Sequence, residues 1–282
     1  MVTLQRLGKA HICAMLEIIG FASAIVIGVS LGLIGGGGSI LTVPVLVYLI
    51  GISPVLATAY SLLIVGASSV VGAARYAKQG LVDFKTAILF GIPSIAAVYI
   101  TRRFLVPAIP EDIATIGTFE LTKDALLMLL FAGLMLFASV GMIRNKKESK
   151  STEGLKNKRA GWITPLVVLA EGFVVGTLTG LVGAGGGFLI IPALVLFANL
   201  PMKKAIGTSL VIISAKSLIG FLGDLSNYTI DWSLLGIFTA LAVVGIFLGS
   251  YLSTKIDGSK LKSGFGWFVL IMGASILLGE LV

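Results

Sequence analysis

Charged residues are scarce in this chain of 282 residues: Asp, Glu, Lys and Arg make up 12% of it, whereas hydrophobic residues make up 57%. An average soluble domain carries about 25% charged residues. The mean hydropathy is +1.06, and most of the apolar runs are long enough to cross the roughly 30 Å apolar layer of a bilayer. This composition excludes an ordinary soluble domain and predicts an all-α, multi-pass integral membrane protein whose surroundings are the lipid bilayer.

Cysteine and histidine are nearly absent, with one residue of each, Cys13 and His11. A single cysteine excludes an intramolecular disulfide and a thiolate cluster, and a single histidine excludes a histidine-rich metal site. The chain also lacks the HExxH motif of zinc proteases, and its loops are too short for a soluble catalytic domain. We therefore expect no metal, no cofactor and no enzymatic activity.

The sequence repeats itself at an offset of 148 residues. The stretch "VIGVSLGLIGGGGSILTVPVLV" (26–47) aligns without a gap with "VVGTLTGLVGAGGGFLIIPALV" (174–195). Over 65 aligned positions that start at this stretch, 20 residues are identical, and the glycines and prolines are in register. The chain is therefore predicted to be a tandem duplication, with a first transmembrane repeat at 1–143 and a second at 162–282.

The formal net charge is +8, and seven of the 21 basic residues lie in the stretch 144–159. Lys and Arg that flank apolar runs are typical of loops that stay in the cytoplasm. The charge therefore predicts membrane orientation and not the binding of nucleic acid. We expect residues 144–161 to form a basic cytoplasmic linker between the repeats; an arm that contacts another protein is the alternative.

Each repeat contains five apolar segments, and the second of each set, at 39–50 and 187–199, is short. The others lie at 14–33, 55–74, 85–103 and 124–143 in the first repeat and at 162–182, 204–222, 232–253 and 263–281 in the second. A helix of about 12 residues is about 18 Å long, too short to cross the apolar layer. Each short segment is therefore predicted to be a broken or re-entrant helix after a glycine-rich loop.

These short segments leave two topologies open, with eight to ten spans in total. If they return to the side from which they enter, each repeat has four spans and the repeats are parallel; if they cross, each has five spans and the repeats are inverted. The inverted topology places 15 of the 20 basic residues other than Lys216 in the cytoplasm, so we favour it. It also places the acidic loop with Asp224 and Asp231 outside.

The two glycine-rich loops are the candidate binding site. A helix that begins inside the membrane has backbone amides without intrahelical partners and a partial positive charge at that end, so two such ends would form a compact anion site. The alternative is that these glycines only allow close helix packing, which is the interpretation favoured for the four-residue spacings of Gly28/Gly32 and Gly172/Gly176/Gly180. The candidate ligands in the loops are Gly35, Gly36, Gly37, Gly38, Ser39, Gly183, Gly185, Gly186 and Gly187.

Polar residues in the spans complete the candidate site. Lys216 lies inside an apolar segment, where a lysine costs about 2.5 to 3.5 kcal/mol, so it faces an anion or pairs with an acid such as Glu171. Hydroxyls near the starts of two spans either line the site or cap helices: Tyr60, Ser61, Thr208 and Ser209. Glu171 and Glu17 are candidates for proton coupling, with interfacial placement as the alternative.

Several motifs identify a family resemblance. The second half, which contains "GAGGGFLIIP", "GTSL" and "TIDW", resembles the TauE/SafE family of sulfite exporters, also called the 4-toluene sulfonate uptake permease family. In the first half "GGGGSILTVP" matches well, whereas "TAYSLLIV" and "GLVDFK" stand where the family has the other two motifs. The resemblance covers nearly the whole chain; the segment 104–123 looks like an added external or interfacial piece.

The resemblance implies a transporter of sulfite or small organosulfonates in the cytoplasmic membrane of a prokaryote. From the pattern of short paired segments we expect a secondary transporter that works by alternating access and holds a small sulfur-containing anion near the middle of the membrane, with proton coupling as one energy source. Two alternatives stay open at this point: a carrier of another small solute, such as an amino acid, and a membrane scaffold without transport activity.

Overall fold

A computed structural model describes residues 19–36, 38–116, 119–144, 163–183, 185–196, 198, 200–252 and 258–281. The first repeat contains α1 (Ile19–Ile34), α2 (Ser39–Tyr48), α3 (Pro54–Lys78), α4 (Phe84–Ile100), a π-helix (Thr101–Leu105), α5 (Val106–Ala108) and α6 (Lys123–Arg144). The second contains α7 (Ile163–Val182), α8 (Gly187–Leu196), α9 (Met202–Asp224), α10 (Trp232–Leu252) and α11 (Gly258–Leu281). Each predicted apolar segment coincides with a helix, and four of the helices are long and apolar enough to cross a membrane. The chain is an all-α membrane protein.

A small β-hairpin is the one addition to the helices in the described part of the chain. Strands β1 (Asp112–Ile116) and β2 (Phe119–Thr122) pair in antiparallel fashion between α5 and α6. The predicted added segment 104–123 therefore has a helical part and a hairpin part. Its first residues continue the helical path from α4 through the π-helix into α5, and the hairpin follows. The sequence analysis did not predict the hairpin. We call the end of the molecule that carries it the hairpin end.

Helices α3 and α9, which are equivalent in the two repeats, pack against each other in opposite directions. Gly207 near the start of α9 contacts Tyr76 near the end of α3, and Gly220 near the end of α9 contacts Leu62 near the start of α3. Both α3 and α9 are largely buried. They form the centre of the molecule, and their equivalent ends lie at opposite sides of it.

The outer helices follow the same inverted arrangement. Helix α1 packs along α10, which belongs to the other repeat, and the equivalent pair, α7 with α4, packs in the same way. Gly28 contacts Ala242, and their equivalents in the repeat, Gly176 and Ser94, also contact each other. The glycines with four-residue spacing therefore lie at helix contacts, as the packing interpretation predicted. The two repeats are inverted relative to each other.

Helix α2 turns back along α1. Gly38, next to the first residue of α2, contacts Ile27 and Leu31, and the end of α2 reaches the start of α1, where Ile50 contacts Gly20. Pro44 lies inside α2, so the helix neither begins nor ends at this proline. Helix α3 then begins at the hairpin end, where the amide of Val55 donates to the Asp124 carboxylate. Helix α2 therefore begins well inside the molecule and runs towards the hairpin end.

Candidate functional site

The two glycine-rich loops meet between α3 and α9. A Cβ atom placed on Gly36 would lie 2.5 Å from the Cα atom of Gly187, and both glycines contact the side chain of Ile213. In the other half, Gly185, which follows the equivalent of Gly36, contacts Val65, and a Cβ placed on it would lie 3.4 Å from the Cβ of Ser39. The starts of α2 and α8 are thus brought together from opposite repeats, as the sequence predicted.

The backbone of the loops explains why these positions are glycines. Gly35 and Gly36 have φ angles of +72° and +137°, and Gly183, Gly185 and Gly186 have φ angles of +71°, +62° and +74°. Residues with side chains rarely adopt such angles. The left-handed residues turn the chain sharply from α1 into α2 and from α7 into α8. Gly37, a candidate ligand, lies outside the described residues.

Some of the backbone amides at these helix starts already donate hydrogen bonds to carbonyls of the loops. The amides of Ser39 and Leu41 donate to the carbonyls of Gly36 and Gly38, at 3.2 and 3.1 Å. In α8 the amides of Leu189 and Ile190 both donate to the carbonyl of Gly186. The dipoles of α2 and α8 nevertheless both direct their partial positive ends towards the meeting point, so the local potential favours an anion.

Lys216 brings an amine group to this meeting point. Its side chain is fully buried, and its Nζ atom donates a hydrogen bond of 2.7 Å to Oγ1 of Thr179 on α7. A Cβ placed on Gly186 would lie 2.7 Å from the same Nζ atom, so the ammonium group lies against the start of α8. Within the described residues no carboxylate lies in ion-pair range of Lys216. The anticipated pairing with Glu171 is therefore absent, and a neutral hydroxyl takes its place.

The predicted hydroxyl ligands divide into two groups. Ser39 Oγ donates to the carbonyl of Gly36 at 2.6 Å, and Ser209 Oγ donates to the carbonyl of Gly35 at 2.8 Å, so both stabilise the first glycine-rich loop. Tyr60 and Thr208 instead accept hydrogen bonds from backbone amides of the neighbouring repeat. Ser61 is buried, and its Oγ atom has no hydrogen-bond partner. Of these five, Ser61 is the hydroxyl that is free to meet a ligand.

Further buried hydroxyls without a partner were not predicted from the sequence. Five of them lie on helices that surround the loops: Thr42, Ser68, Ser69, Ser94 and Ser217. Ser69 and Ser217 are equivalent in the repeat, and Ser68 is the equivalent of Lys216. The repeat alignment could have revealed these hydroxyls, because small polar residues recur at equivalent positions of otherwise apolar segments. Buried polar groups without partners are uncommon, and they are typical of sites that receive a ligand or water.

The sequence analysis missed a buried ion pair at the hairpin end of the same helices. Nε of Arg102, in the π-helix, lies 3.6 Å from Oδ2 of Asp224 at the end of α9, and both side chains are fully buried. The charge count that favoured the inverted topology treated Arg102 as a loop residue, and the loop prediction placed Asp224 outside. The sequence did contain a signal for this pair, because Arg102 lies inside the apolar run "AAVYITRRFLVPAI". A charged residue in such a run normally faces a partner or a cavity.

The proton-coupling candidates have different outcomes. Glu171 lies on α7, partly buried, and its Oε2 atom has no hydrogen-bond partner. Glu17 lies outside the described residues. Neither carboxylate is placed at the meeting point of the loops by the structure.

The fold and this site define a membrane transporter built from two inverted repeats. A family model described as "Sulfite exporter TauE/SafE" matches residues 20–276. The chain belongs to the TauE/SafE sulfite exporter family.

Curated relatives align with most of the chain. A probable membrane transporter protein of Xylella fastidiosa is 28% identical over 92% of this chain and 94% of its own length. The probable membrane transporter protein YunE of Bacillus subtilis is 27% identical over 84% of this chain and 88% of its own. The probable membrane transporter protein MJ0441 of Methanocaldococcus jannaschii is 26% identical over 94% of this chain and 95% of its own. No solved structure matches the chain.

Proposed function

We propose that this protein is a secondary transporter that moves sulfite or a small organosulfonate across the cytoplasmic membrane of a prokaryote, with export as its direction. The observation that carries this proposal is the position of Lys216. Its buried ammonium group lies where two half-helix starts meet and has a neutral partner in place of a carboxylate. A small anion supplies the missing negative charge.

The chemistry of a sulfonate suits this arrangement. Its three oxygens accept hydrogen bonds, so one anion can accept from the Lys216 ammonium, from buried hydroxyls such as Ser61, and from amides at the starts of α2 and α8. Charge-assisted hydrogen bonds of this kind are stronger than bonds between neutral groups. The glycines allow the two half-helix starts to approach each other closely, since a side chain on Gly36 or Gly185 would collide with the opposite repeat.

Inverted repeats supply a mechanism for moving the site between the two sides of the membrane. In transporters of this architecture the two repeats exchange conformations, so that a site near the midplane opens first to one side and then to the other. A membrane potential that is negative inside favours outward movement of an anion, at about 2.3 kcal/mol per charge and 100 mV. Export of the anion is therefore the energetically favoured direction.

The test compares two equivalent positions of the repeat in proteoliposomes. We expect Lys216→Met to reduce the affinity for sulfite at least tenfold, because a charged hydrogen bond contributes about 1.5–3 kcal/mol, whereas Ser68→Ala at the equivalent position has a smaller effect. Equal thermal stability and elution profiles of the two variants establish that both are folded. Wild-type sulfite binding and flux in Lys216→Met would contradict the proposed site.

A ligand-stabilisation screen of the purified wild-type protein tests the substrate class. The panel contains sulfite, sulfate, thiosulfate, sulfoacetate, taurine and chloride. We expect sulfite or a sulfonate to raise the melting temperature more than chloride does. Stabilisation by none of the sulfur compounds would show that the substrate class is wrong.

A further inference from the structure

The Arg102–Asp224 pair lies beside the second glycine-rich loop. The guanidinium Nη1 of Arg102 donates to Oγ1 of Thr58 on α3 at 3.0 Å, while Nε faces Asp224 at 3.6 Å. A Cβ placed on Gly183, the first residue of the loop, would lie 2.6 Å from Nη2 of Arg102. Arg102 therefore reaches the loop that leads to the start of α8.

The hydrogen bonding of this pair is incomplete. Nε and Nη2 of Arg102 and both carboxylate oxygens of Asp224 are buried without a hydrogen-bond partner, although the charges compensate each other. Arginine and carboxylate groups frequently pair through two short parallel hydrogen bonds. A separation of 3.6 Å with unbonded Nε and Nη2 on the guanidinium leaves this pair able to exchange partners. Of these two donors, Nη2 faces the loop.

The pair has no counterpart in the other repeat. The positions equivalent to Arg102 and Asp224 are Ser250 and Tyr76, so the other half lacks the acid of the pair. There, Ser250 Oγ accepts a hydrogen bond of 3.2 Å from Nη1 of Arg75. The arginine–aspartate arrangement is therefore specific to the hairpin end.

A cavity of about 240 Å³ lies at the hairpin end. Tyr228 lines it together with Glu111, Lys123 and Asp124. Burial raises the pKa of the Tyr228 phenol, and the negative charge of Asp224 adds to that effect. The phenol thus keeps its proton at neutral pH, and Tyr228 both lines the cavity and is influenced by the charge of Asp224.

The ionisable groups that act on Asp224 come from two directions. Arg102 faces it from the π-helix, and Tyr228 faces it from the loop after α9. Helix α3 contributes the neutral hydroxyl of Thr58, which is bonded to Arg102. Glu111 and Asp124 act on Tyr228 from the other side of the cavity. Asp224 therefore has one positive partner, and loss of that partner leaves its charge buried and uncompensated.

We propose that Arg102 and Asp224 form an exchange site that takes up one proton for each anion that binds. When the anion reaches the Gly183 loop, Arg102 moves from the carboxylate of Asp224 to the oxygens of the anion. A proton taken up from the buffered solvent then bonds to a carboxylate oxygen of Asp224, because a buried carboxylate without a counter-charge is strongly disfavoured. The cluster is neutral before the exchange, with Arg⁺ and Asp⁻, and neutral after it, with Arg⁺, the anion and AspH. This inference rests on the proposed function.

Methanesulfonate is the probe for this exchange, because it does not titrate near neutral pH. Calorimetric titration of the wild-type protein in two buffers of different ionisation enthalpy gives the number of protons taken up per bound anion. We expect about one proton per anion in the wild type and none in Asp224→Asn, with uptake restored in Asp224→Glu. Glu171→Gln is the control and should keep the wild-type uptake, since Glu171 does not pair with Arg102.

A second variant covers the case in which Asp224→Asn leaves Arg102 unpaired and the protein does not fold. The double variant Arg102→Gln/Asp224→Asn has no buried charge at this site. We expect it to bind methanesulfonate at least tenfold more weakly than the wild type, with no proton uptake in any binding that remains. Wild-type affinity or wild-type proton uptake in the double variant would overturn the exchange site.

The same titrations separate this inference from the proposed function. If the wild-type protein binds neither methanesulfonate nor sulfite, the substrate class is wrong and the exchange site fails with it. If the wild-type protein binds methanesulfonate without taking up a proton, the exchange site alone is wrong. If Glu171→Gln abolishes the uptake and Asp224→Asn preserves it, coupling occurs at Glu171 and the role of Asp224 is refuted.

Discussion

The phenol of Tyr60 accepts a hydrogen bond of 2.7 Å from the backbone amide of Asp231, which links the start of α3 to the loop before α10. The equivalent contact recurs in the other half, where Thr208 Oγ1 accepts from the amide of Asp83 at 2.9 Å. Each repeat thus holds the turn that precedes the fourth helix of the other repeat. Two different side chains perform the same task at equivalent positions, so the position of the oxygen matters more than the residue that carries it.

Tyr60→Phe and Thr208→Val should lower stability and leave anion affinity unchanged. Each substitution removes the acceptor of one amide, and a part-buried amide without a partner costs about 1–3 kcal/mol. Thermal unfolding in detergent and sulfite binding on the same samples measure the two quantities. Tyr99→Phe on α4, where the tyrosine is 38% exposed, is the matched control and should change neither. Weaker binding in Tyr60→Phe at unchanged stability would contradict this prediction and indicate that Tyr60 contacts the anion.

Gly186→Ala should abolish transport, whereas Gly51→Ala should not. Both glycines are left-handed, with φ angles of +74° and +78°, so both substitutions carry the same backbone cost of about 1–2 kcal/mol. They differ in their surroundings: a Cβ on Gly186 would meet Thr179 and lie 2.7 Å from Nζ of Lys216, while a Cβ on Gly51 would meet no atom within 4 Å. Flux in proteoliposomes, normalised to folded protein, separates them. Equal flux in the two variants would mean that the space around Gly186 has no role in transport.

Helix-packing glycines should respond differently from exposed ones. A Cβ on Gly176 in α7 would lie 2.5 Å from the carbonyl oxygen of Ser94 in α4, so Gly176→Ala forces the helices apart and should cost about 1–3 kcal/mol. Gly236 in α10 has no atom within 4 Å of such a Cβ, and Gly236→Ala should raise stability by up to about 1 kcal/mol because alanine favours the helix. Circular dichroism during heating should show melting temperatures that move in opposite directions. A shift in the same direction would contradict the helix contact.

The elements and their symmetry were predictable because they are encoded locally. Apolar runs define the helices, and glycines and prolines that recur at one offset define the repeat, including the two short helices that begin inside the molecule. The partners of polar side chains were not predictable, because they are set by which helices pack together. The sequence left Lys216 facing either an anion or an acid such as Glu171 on α7, and the structure places it beside Thr179, about two turns further along the same helix. Arg102 and Asp224 meet because α4 and α9 pack side by side.

Labelling with a membrane-impermeant maleimide should place residues 79 and 229 on opposite sides of the membrane. Gln79 follows α3 and Thr229 follows α9, and these equivalent helices run in opposite directions. The basic loops predict that Gln79 faces the cytoplasm. In a Cys13→Ser background, Thr229→Cys should react in intact cells, whereas Gln79→Cys should react only after permeabilisation. Because Cys13 is the one native cysteine, the background carries no competing thiol. Reaction of both from outside would contradict the inverted topology, and the opposite pattern would reverse its orientation.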